Sequence, residues 1–365
     1  MAARDLARAG ARVALVDGSH PREKACGGGV TGRALQFARS TGAMLDGCAI
    51  DRAVFEAGRR RVVVDIEGDD VLRVFDREPF DGALLQDAVA AGAEHLPERA
   101  VACRRTGAAW EVVTERSVMR GSWLLGADGA CGIVRKSVAD PFERAELSIA
   151  SGSYVDGVSV PEIVIGFTDE PRGYLWSFPR RRRLAVGACA QADATTSAAL
   201  HGVTDRWLDG YAPAASHARR RYSWPIPSLS ADAVGRQPAS GDRWMLLGDA
   251  AGLVDPITRE GIYFALESGS FAASSMSGVD PARAYGARVR DSIHPELRRA
   301  AGLKAAFFRP RFTRLLLEAL DSSAAIRAVM IDLIAGRQPY STLKRRLIGT
   351  LEFGLMAKVL FARGA

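Results

Sequence analysis

Residues 244–269 read WMLLGDAAGLVDPITREGIYFALESG, and this stretch decides the fold. Its apolar opening predicts a buried strand that ends at a loop beginning with Gly248 and Asp249. The small residues that follow let the backbone approach a neighbour closely, and Pro256 makes the turn rigid. The carboxylate of Asp249 is suited to accept hydrogen bonds from the hydroxyl groups of a ligand.

The second half of this stretch predicts a helix opened by Glu260, Gly261 and Ile262. The start of a helix presents free N–H groups and the positive end of its dipole. Such an end favours the electron-rich edge of a ligand that gains negative charge. The simpler alternative is an ordinary strand–loop–helix corner in which Asp249 caps the helix.

The N-terminal residues predict the second half of a nucleotide-binding βαβ unit. Residues 2–9 have helical spacing, Gly10 is suited to end that helix, and ARVALVD at 11–17 predicts a short buried strand. Asp17 closes this strand at the position where an acid accepts the hydroxyl groups of a ribose. The alternative is a solvated acid at the end of a strand.

The first half of that unit, a strand and a GxGxxG turn, is missing ahead of residue 2. Two explanations are open. The start codon is misplaced and the natural chain begins upstream, or the chain is truncated and binds its nucleotide weakly. We favour the misplaced start, because the motifs further along the chain are intact.

Two shorter motifs also combine an acid or a cation with the end of an element. LLGADG at 124–129 predicts a second strand that ends near an acid, Asp128. FDR at 75–77 opens a helix with Arg77, whose planar guanidinium suits phosphate oxygens. The alternative for Arg77 is a simple capping role.

Two motifs could form the walls of a binding site. KACGGG at 24–29 is a loop whose glycines let backbone lie close to a ligand, next to Cys26. PRGYLWSFP at 171–179 predicts a strand with Tyr174, Trp176 and Phe178 on one face. Three aromatic side chains on one face form an apolar wall that could contact a long hydrocarbon chain or the edge of a ring. The alternatives are a generic glycine loop and ordinary packing of a sheet.

Together these motifs resemble the geranylgeranyl reductase family of FAD-dependent oxidoreductases, within the aromatic-hydroxylase-like flavoprotein superfamily. The stretch 244–269 resembles the second FAD fingerprint of that superfamily, and the other motifs resemble its GADG, KxCGGG and PxxYxWxFP patterns. The resemblance covers nearly the whole chain. One departure is Arg259, where many relatives carry glycine: either the loop has ordinary dihedrals there, or a strained left-handed arginine marks a subgroup.

The resemblance implies FAD as the cofactor, NAD(P)H or a ferredoxin as the electron donor, and a hydrophobic isoprenoid or prenylated small molecule as the substrate. It implies reduction of carbon–carbon double bonds in a polyprenyl lipid or quinone. It places Cys26, Tyr174 and Trp176 at the reacting atoms. The residues that it implies for the cofactor are Asp17, Lys24, Gly27, Gly28, Arg77, Asp128, Gly248, Asp249, Pro256, Glu260, Gly261 and Ile262.

The expected fold is α/β. A Rossmann-like FAD-binding domain of the glutathione-reductase type, with a mainly parallel sheet, should carry an antiparallel-sheet substrate domain and a helical C-terminal region. We expect a discontinuous FAD-binding domain at residues 1–49, 77–140 and 238–280. The substrate domain should comprise residues 50–76 and 141–237. The helical C-terminal region should comprise residues 281–365.

The composition bounds the partners. The chain has 365 residues, 48% of them apolar and 25% charged, with a formal net charge of +7. This charge permits attraction to anionic substrates or membrane surfaces, but no recognised motif indicates nucleic-acid binding. The five cysteines include no CxxC and predict neither a disulfide framework nor a metal site. A cytoplasmic location fits them, and we expect no membrane-spanning helix.

Two basic segments bear on membrane contact. The run from Arg180 to Arg183 predicts a solvated hairpin turn, although it could steer a phosphate-bearing head group. From Leu343 onwards, apolar residues step by four beside basic ones, through Leu347, Leu351, Leu355 and Val359. We favour packing of this segment onto the protein's own core over peripheral docking at a membrane. The sequence does not indicate the oligomeric state.

Two alternative functions stay open. An aromatic hydroxylase or halogenase would share the FAD motifs, but WPIP at 224–227 does not fit the halogenase pattern WxWxIP. Hydroxylases usually lack the Cys-Gly-Gly loop paired with PxxYxWxFP. A truncated chain that holds no cofactor would instead be a binding protein.

Overall fold

The computed structural model describes residues 1–68, 70–158, 160–211, 214 and 217–350. Helices and strands alternate through the first two thirds of the chain, and helices follow. The strands are β1 (Ala14–Val16), β2 (Gly29–Thr31), β3 (Cys48–Ala49), β4 (Arg52–Ala57), β5 (Arg60–Asp65), β6 (Leu72–Val74), β7 (Glu94–Leu96), β8 (Ala100–Thr106), β9 (Ala109–Thr114), β10 (Val118–Gly121), β11 (Leu124–Gly126), β12 (Leu147–Asp156), β13 (Glu162–Thr168), β14 (Gly173–Pro179), β15 (Arg183–Gln191), β16 (Arg219–Pro227), β17 (Ser240–Gly241) and β18 (Trp244–Leu246).

The helices connect the small sheets and then form the C-terminal region. They are α1 (Ala2–Arg8), α2 (Gly32–Arg39), α3 (Arg77–Ala90), α4 (Ile133–Val138), α5 (Ser197–Gly210), α6 (Ala231–Arg236), α7 (Ile262–Ser275), α8 (Pro281–Arg288), α9 (His294–Phe307), α10 (Pro310–Ser322), α11 (Ala324–Ile334) and α12 (Tyr340–Gly349).

The largest sheet has seven strands in the order β16-β12-β15-β14-β13-β4-β5. Its ladders are antiparallel except between β13 and β4, which run in parallel. Two parallel neighbours cannot be joined by a tight hairpin, and here a long excursion of the chain separates them. The alternation of β14 puts Tyr174 and Trp176 on the face that forms the aromatic wall.

The nucleotide-binding part holds two parallel pairs of strands. β1 pairs with β7, and β11 pairs with β18. We predicted one mainly parallel sheet, but between these two pairs the described residues form no ladder. Leu15 of β1 and Leu125 of β11 both line one large cavity, so both pairs of strands border on it.

The three-stranded sheet β2-β6-β3 crosses the domain boundary that we expected at residue 49. β6 belongs to the segment 50–76, yet it pairs with β2 and β3 of the segment before it. The division into an FAD-binding and a substrate domain stays a proposal, and its boundaries do not coincide with the sheets.

The C-terminal helices cover the seven-stranded sheet and close the cavity. α10 begins with Pro310, which suits the first helical position, and buries Leu317 and Leu320 in the cluster formed with β4 and β5. Leu343 and Leu347 of α12 are half-buried, while Leu351, Leu355 and Val359 lie outside the described residues. Over the part of the chain that is described, we find no helix with the length and apolarity that crossing a bilayer requires.

Candidate active site

One cavity of about 2340 Å³ brings together the three segments on which the sequence interpretation depends. Its wall includes Cys26 of the glycine loop, Asp249 of the strand–loop–helix corner, and Trp176 of the aromatic strand. These residues are far apart in the sequence, so the fold alone joins them. The cavity is the candidate site.

The corner after β18 can be built only with small residues. Gly248 has a φ of +52°, and a Cβ there would lie 2.9 Å from the Cβ of Ala265. A Cβ on Gly261 would lie 3.0 Å from Oδ1 of Asp249. Pro256 is buried in the turn, between cavity-lining neighbours. The backbone of this corner therefore stays accessible from the cavity.

The capping alternative for Asp249 does not hold. α7 begins at Ile262 with Gly261 before it and no side-chain cap, and the turn is instead held by Asp255. The Oδ1 atom of Asp255 accepts hydrogen bonds from the N–H groups of Ile257 and Thr258, at 2.7 and 3.0 Å. The Asp249 carboxylate thus lines the cavity without closing the turn.

Asp249 faces two cations at the glycine-loop side of the cavity. Burial raises the pKa of Asp249, and the charges of Lys24 and Arg77 oppose that rise. Among the described side chains, none donates a hydrogen bond to this carboxylate. It is therefore available to accept hydrogen bonds from a ligand.

Lys24 and Arg77 share the carboxylate of Asp81. Nη2 of Arg77 lies 2.9 and 3.0 Å from its two oxygens, and Nζ of Lys24 lies 3.8 Å from one of them. Burial lowers the pKa of Lys24. Burial also opposes the charge of Arg77, but Asp81 and the Cys26 thiol raise its pKa above the ordinary value. Both cations line the cavity, where phosphate oxygens could meet them.

The glycine loop has no room for side chains. A Cβ on Gly27 would lie 2.7 Å from the ring of Phe178. Gly28 has a φ of +87°, and a Cβ there would lie 2.2 Å from the carbonyl oxygen of Phe75. The loop backbone is thus pressed against the aromatic strand, with the thiol of Cys26 at the cavity wall.

Arg180 clamps this loop, and the sequence interpretation missed it. Its guanidinium is fully buried, pairs with Glu23, and donates hydrogen bonds to the carbonyls of Cys26 and Gly27. We predicted a solvated turn for the four arginines, which is right for Arg181 and Arg182 and wrong for Arg180. The signal was available: Arg180 continues the alternation of Tyr174, Trp176 and Phe178, and so lies on the same face.

The aromatic wall is tied directly to the corner. The hydroxyl of Tyr174 donates a hydrogen bond of 2.8 Å to the carbonyl of Thr258. The centroids of Tyr174 and Trp176 lie 6.0 Å apart, and Phe308 stacks on Tyr174 at 6.1 Å with 10° between the ring planes. Phe308 follows α9, and sequence reasoning had no signal for it because its contacts are distant in the chain.

Asp17 and Asp128 line the cavity at the ends of β1 and β11. Oδ1 of Asp17 accepts hydrogen bonds from the N–H and the hydroxyl of Ser19, at 2.8 and 2.7 Å. Burial would raise the pKa of Asp17, but the hydrogen bonds from His20 and Ser19 outweigh it and lower the pKa. Asp128 accepts a hydrogen bond of 2.8 Å from the N–H of Val134 at the start of α4, and burial raises its pKa.

Glu260 and Arg259 behave differently at the start of α7. Glu260 pairs with Arg33 and accepts a hydrogen bond from the hydroxyl of Thr31, so its carboxylate is engaged within the protein. Arg259 has a φ of +61°, which settles the question left by the sequence: this arginine does adopt the left-handed conformation. Both side chains line the cavity, as do Gly261 and Ile262.

The donors and acceptors of this cavity fit FAD. Asp17 and Asp249 offer carboxylates for hydroxyl groups, and Lys24 and Arg77 offer cations for phosphates. Because Gly27 has no Cβ, the loop backbone packs directly against Phe178 at the cavity wall. The fold and the site thus define the class: an FAD-dependent enzyme.

Comparisons with known proteins agree with this class. No family model matches the chain. The geranylgeranyl diphosphate reductase of Rhodobacter capsulatus is 29% identical over 297 residues, which cover 75% of this chain and 71% of that one. The menaquinone reductase of Mycolicibacterium smegmatis is 26% identical over 369 residues, which cover 89% of this chain and 86% of that one.

Solved structures share the fold. A geranylgeranyl bacteriochlorophyll reductase-like protein of Thermoplasma acidophilum superposes with a TM-score of 0.78 at 20% identity, covering 96% of this chain and 95% of that one. The flavin-dependent brominase Bmp2 superposes with a TM-score of 0.70 at 18% identity, covering 95% of each chain. The chain is thus similar in sequence to reductases named for geranylgeranyl diphosphate and menaquinone, and similar in fold to flavin-dependent enzymes.

Proposed function

We propose that this protein reduces carbon–carbon double bonds in a polyprenyl lipid or quinone. The observation that carries the proposal is the shared cavity, in which the glycine loop at Cys26, the corner at Asp249 and the aromatic wall at Trp176 meet. The two reductases reported above, named for geranylgeranyl diphosphate and menaquinone, support the same class of substrate.

The cavity has an apolar part suited to a prenyl chain. Beyond the aromatic wall it is lined by side chains from the seven-stranded sheet and from the C-terminal helices: Ile163, Ile165, Phe167, Phe307, Met330, Leu333 and Ile334. Apolar surfaces of this kind bind an isoprenoid by removing it from water. They also keep water from the reacting atoms.

The chemistry that bound, reduced FAD supplies is hydride donation. An isolated alkene accepts hydride poorly, so the protein must hold it firmly and stabilise positive charge that develops on carbon. We propose that Tyr174 and Trp176 do this with their ring faces, which attract cations. Burial raises the pKa of Tyr174 well above its ordinary value, so its ring carries no charge at neutral pH.

The glycine loop is proposed to position the reaction. Arg180 fixes the carbonyls of Cys26 and Gly27, and the hydroxyl of Tyr154 donates a hydrogen bond to the carbonyl of Lys24. These contacts hold the Cys26 thiol at the cavity wall. We propose that this thiol contacts the reacting atoms, and that NAD(P)H or a ferredoxin supplies the electrons.

The test is reduction of a prenyl substrate by the purified, FAD-loaded protein under anaerobic conditions. After chemical reduction of the flavin, we expect the products to gain hydrogen across one or more double bonds, as seen by mass spectrometry. The oxidant-free reaction should then be repeated with NADPH and with reduced ferredoxin to identify the donor. Hydroxylated or halogenated products formed with oxygen, and no saturated product, would overturn the proposal.

A flavin-dependent monooxygenase or halogenase is the second candidate, because the brominase shares the fold. The segment around Trp224 does not fit the halogenase motif, and this half of β16 lines the cavity through Trp224 and Ile226. The same anaerobic and aerobic reactions separate the two functions. A protein that stays colourless after FAD is added would favour a cofactor-free binding role instead.

A further inference from the structure

Arg259 is a half-buried residue of the cavity wall, and two of its guanidinium nitrogens are unsatisfied. Its Nε and Nη1 atoms are shielded from solvent and have no hydrogen-bond acceptor among the described residues. Among the described residues, Arg259 also forms no ion pair with a carboxylate. The ring centroid of Phe308 lies 5.9 Å from the Cζ atom of Arg259. A guanidinium stays charged at every physiological pH, so this arrangement is costly without a partner.

The backbone at Arg259 is strained as well. Its φ of +61° lies in the left-handed region, which favours glycine. Strain of this kind persists where the surrounding structure holds it, and it is concentrated at functional sites. In this backbone conformation the cationic side chain of Arg259 lies beside the aromatic ring of Phe308.

The acids nearby are already occupied. Asp255 accepts hydrogen bonds from two backbone N–H groups and, at 2.9 Å, from the hydroxyl of Tyr340. Glu260 pairs with Arg33. Glu296 accepts hydrogen bonds from Arg299 and from the N–H of Tyr340. Among the residues that the structure describes, these acids therefore leave the charge of Arg259 uncompensated at the cavity.

Lys304 adds a second positive charge close to Arg259. Burial and the charge of Arg259 both lower the pKa of Lys304, and Asp193 only partly offsets them. The charge of Arg259 also acts on the buried Cys189 thiol and the Tyr174 hydroxyl, where it lowers a pKa that burial raises. Arg259 thus sits beside the aromatic wall with a local excess of positive charge.

We propose that Arg259 is a specificity-determining residue that binds the phosphate-type oxygens of the substrate's head group. The inference rests on the proposed reduction of a prenyl chain at the same cavity. Two guanidinium nitrogens without acceptors can each donate a hydrogen bond to an oxygen of a phosphate-type group. An anion bound there would lie beside Phe308, which stacks on Tyr174, so the head group and the chain meet adjoining surfaces. A prenyl diphosphate and a prenylated glycerol phosphate both offer this chemistry.

The test compares substrates that share one prenyl chain: geranylgeranyl diphosphate, geranylgeranylated glycerol phosphate and the neutral alcohol geranylgeraniol. Binding to the oxidised, FAD-loaded protein is measured by calorimetry, without turnover, and reduction is measured separately. The variants are Arg259→Gln and Arg259→Gly. The glycine variant removes the side chain and relieves the left-handed backbone, so its effect cannot come from strain. Arg172→Gln, an exposed arginine in the turn before β14, is the matched control.

We expect both Arg259 variants to weaken binding of at least one phosphate ester by roughly 10- to 100-fold, the usual worth of hydrogen bonds to a charged group. Geranylgeraniol binding and the Arg172→Gln control should be unchanged. The phosphate ester whose affinity falls more on loss of the Arg259 side chain identifies the head group, diphosphate or glycerol phosphate, that Arg259 binds.

Equal losses for the alcohol, no loss for either ester, or a loss of FAD affinity alone would overturn the role of Arg259. Phosphate binding that depends on Arg259 in a protein that reduces no alkene would leave the inference standing and refute the proposed function. Reduction that does not depend on Arg259 would do the opposite.

Discussion

Arg180 joins the aromatic strand to the glycine loop through a buried ion pair with Glu23. Arg180→Met would leave that carboxylate without its cation and two carbonyls without a donor. Breaking a buried pair in this way costs about 3–5 kcal/mol, so we expect the free energy of unfolding in urea to fall by about that amount. Arg182→Met, on the exposed side of the same turn, should change it by less than about 0.5 kcal/mol.

A double variant tests the cause. Arg180→Met combined with Glu23→Gln removes the uncompensated carboxylate and should regain part of the lost stability. If Arg180→Met and Arg182→Met had the same free energy of unfolding, the contacts of Arg180 with the loop would not stabilise the protein, and our account of the loop would be wrong.

Gly27 decides how close the loop comes to the aromatic strand. A Cβ there would lie 2.7 Å from the ring of Phe178, so Gly27→Ala forces the loop or the ring to move. We expect a loss of about 1–3 kcal/mol in unfolding free energy, together with weaker FAD binding. Gly302→Ala is the control, because its Cβ meets open space within α9 and alanine favours helix. Normal FAD binding by Gly27→Ala would show that the loop does not contact the cofactor.

These residues also show what the sequence could and could not predict. The positions of Tyr174 and Trp176 followed from strand alternation, which is local. Arg180 was misjudged because four consecutive arginines suggest solvation, whereas the same alternation places the first of them inward. The surroundings of Arg259 depend on the segment after α9 and on the turn around Asp255, and no local rule brings those segments together.

At the scale of elements, Lys304 docks α9 onto the ends of two strands. Its ammonium donates hydrogen bonds to the carbonyl of Ser228, at 2.9 Å, and to Oε1 of Gln191, at 3.3 Å. Burial, and then Arg259, lowers the pKa of Lys304 from 10.5 to about 8. Between these values the folded protein binds fewer protons than the unfolded chain, so the free energy of unfolding should rise with pH.

The expected rise from Lys304 is about 3 kcal/mol at most between pH 8 and 10.5, since one pKa unit corresponds to about 1.4 kcal/mol. Lys304→Met should remove this contribution, which is measured as a flatter pH dependence in urea unfolding. Lys344→Met changes an exposed lysine of α12 and should keep the slope of the wild type. Identical slopes in all three proteins would contradict the burial of the Lys304 charge.

Element types were more predictable than their pairing. α1, α3 and α7 and the strands β14 and β18 follow from periodicity and glycine positions, because these signals are local. α2 ends at Arg39, with Ser40 and Gly42 in the turn that follows. The parallel pairing of β4 with β13 joins distant segments and left no trace in the local pattern.

At the scale of the whole molecule, the sequence predicted a shared site but not the form of the cavity. The motifs predicted that three segments would meet, but the cavity's size and its closure by the C-terminal helices depend on tertiary packing. Cofactor binding should therefore stabilise the whole chain. FAD at about one hundred times its Kd should add about 2.7 kcal/mol to the free energy of unfolding.

Asp249 gives that linkage a sharp test. Its carboxylate faces the cavity without a hydrogen-bond donor among the described side chains, so Asp249→Asn should weaken FAD binding by roughly tenfold, the lower range for hydrogen bonds to a charged group. Because burial raises the pKa of Asp249, wild-type affinity should fall on acidification at a higher pH than for an ordinary aspartate, as the carboxylate gains a proton and loses an acceptor. Asp249→Asn should bind FAD with little pH dependence, while Asp169→Asn, in an exposed turn, should follow the wild type in a fluorescence titration. Equal affinity and equal pH dependence in all three proteins would place the FAD hydroxyl groups away from this corner and reopen the assignment of the whole cavity.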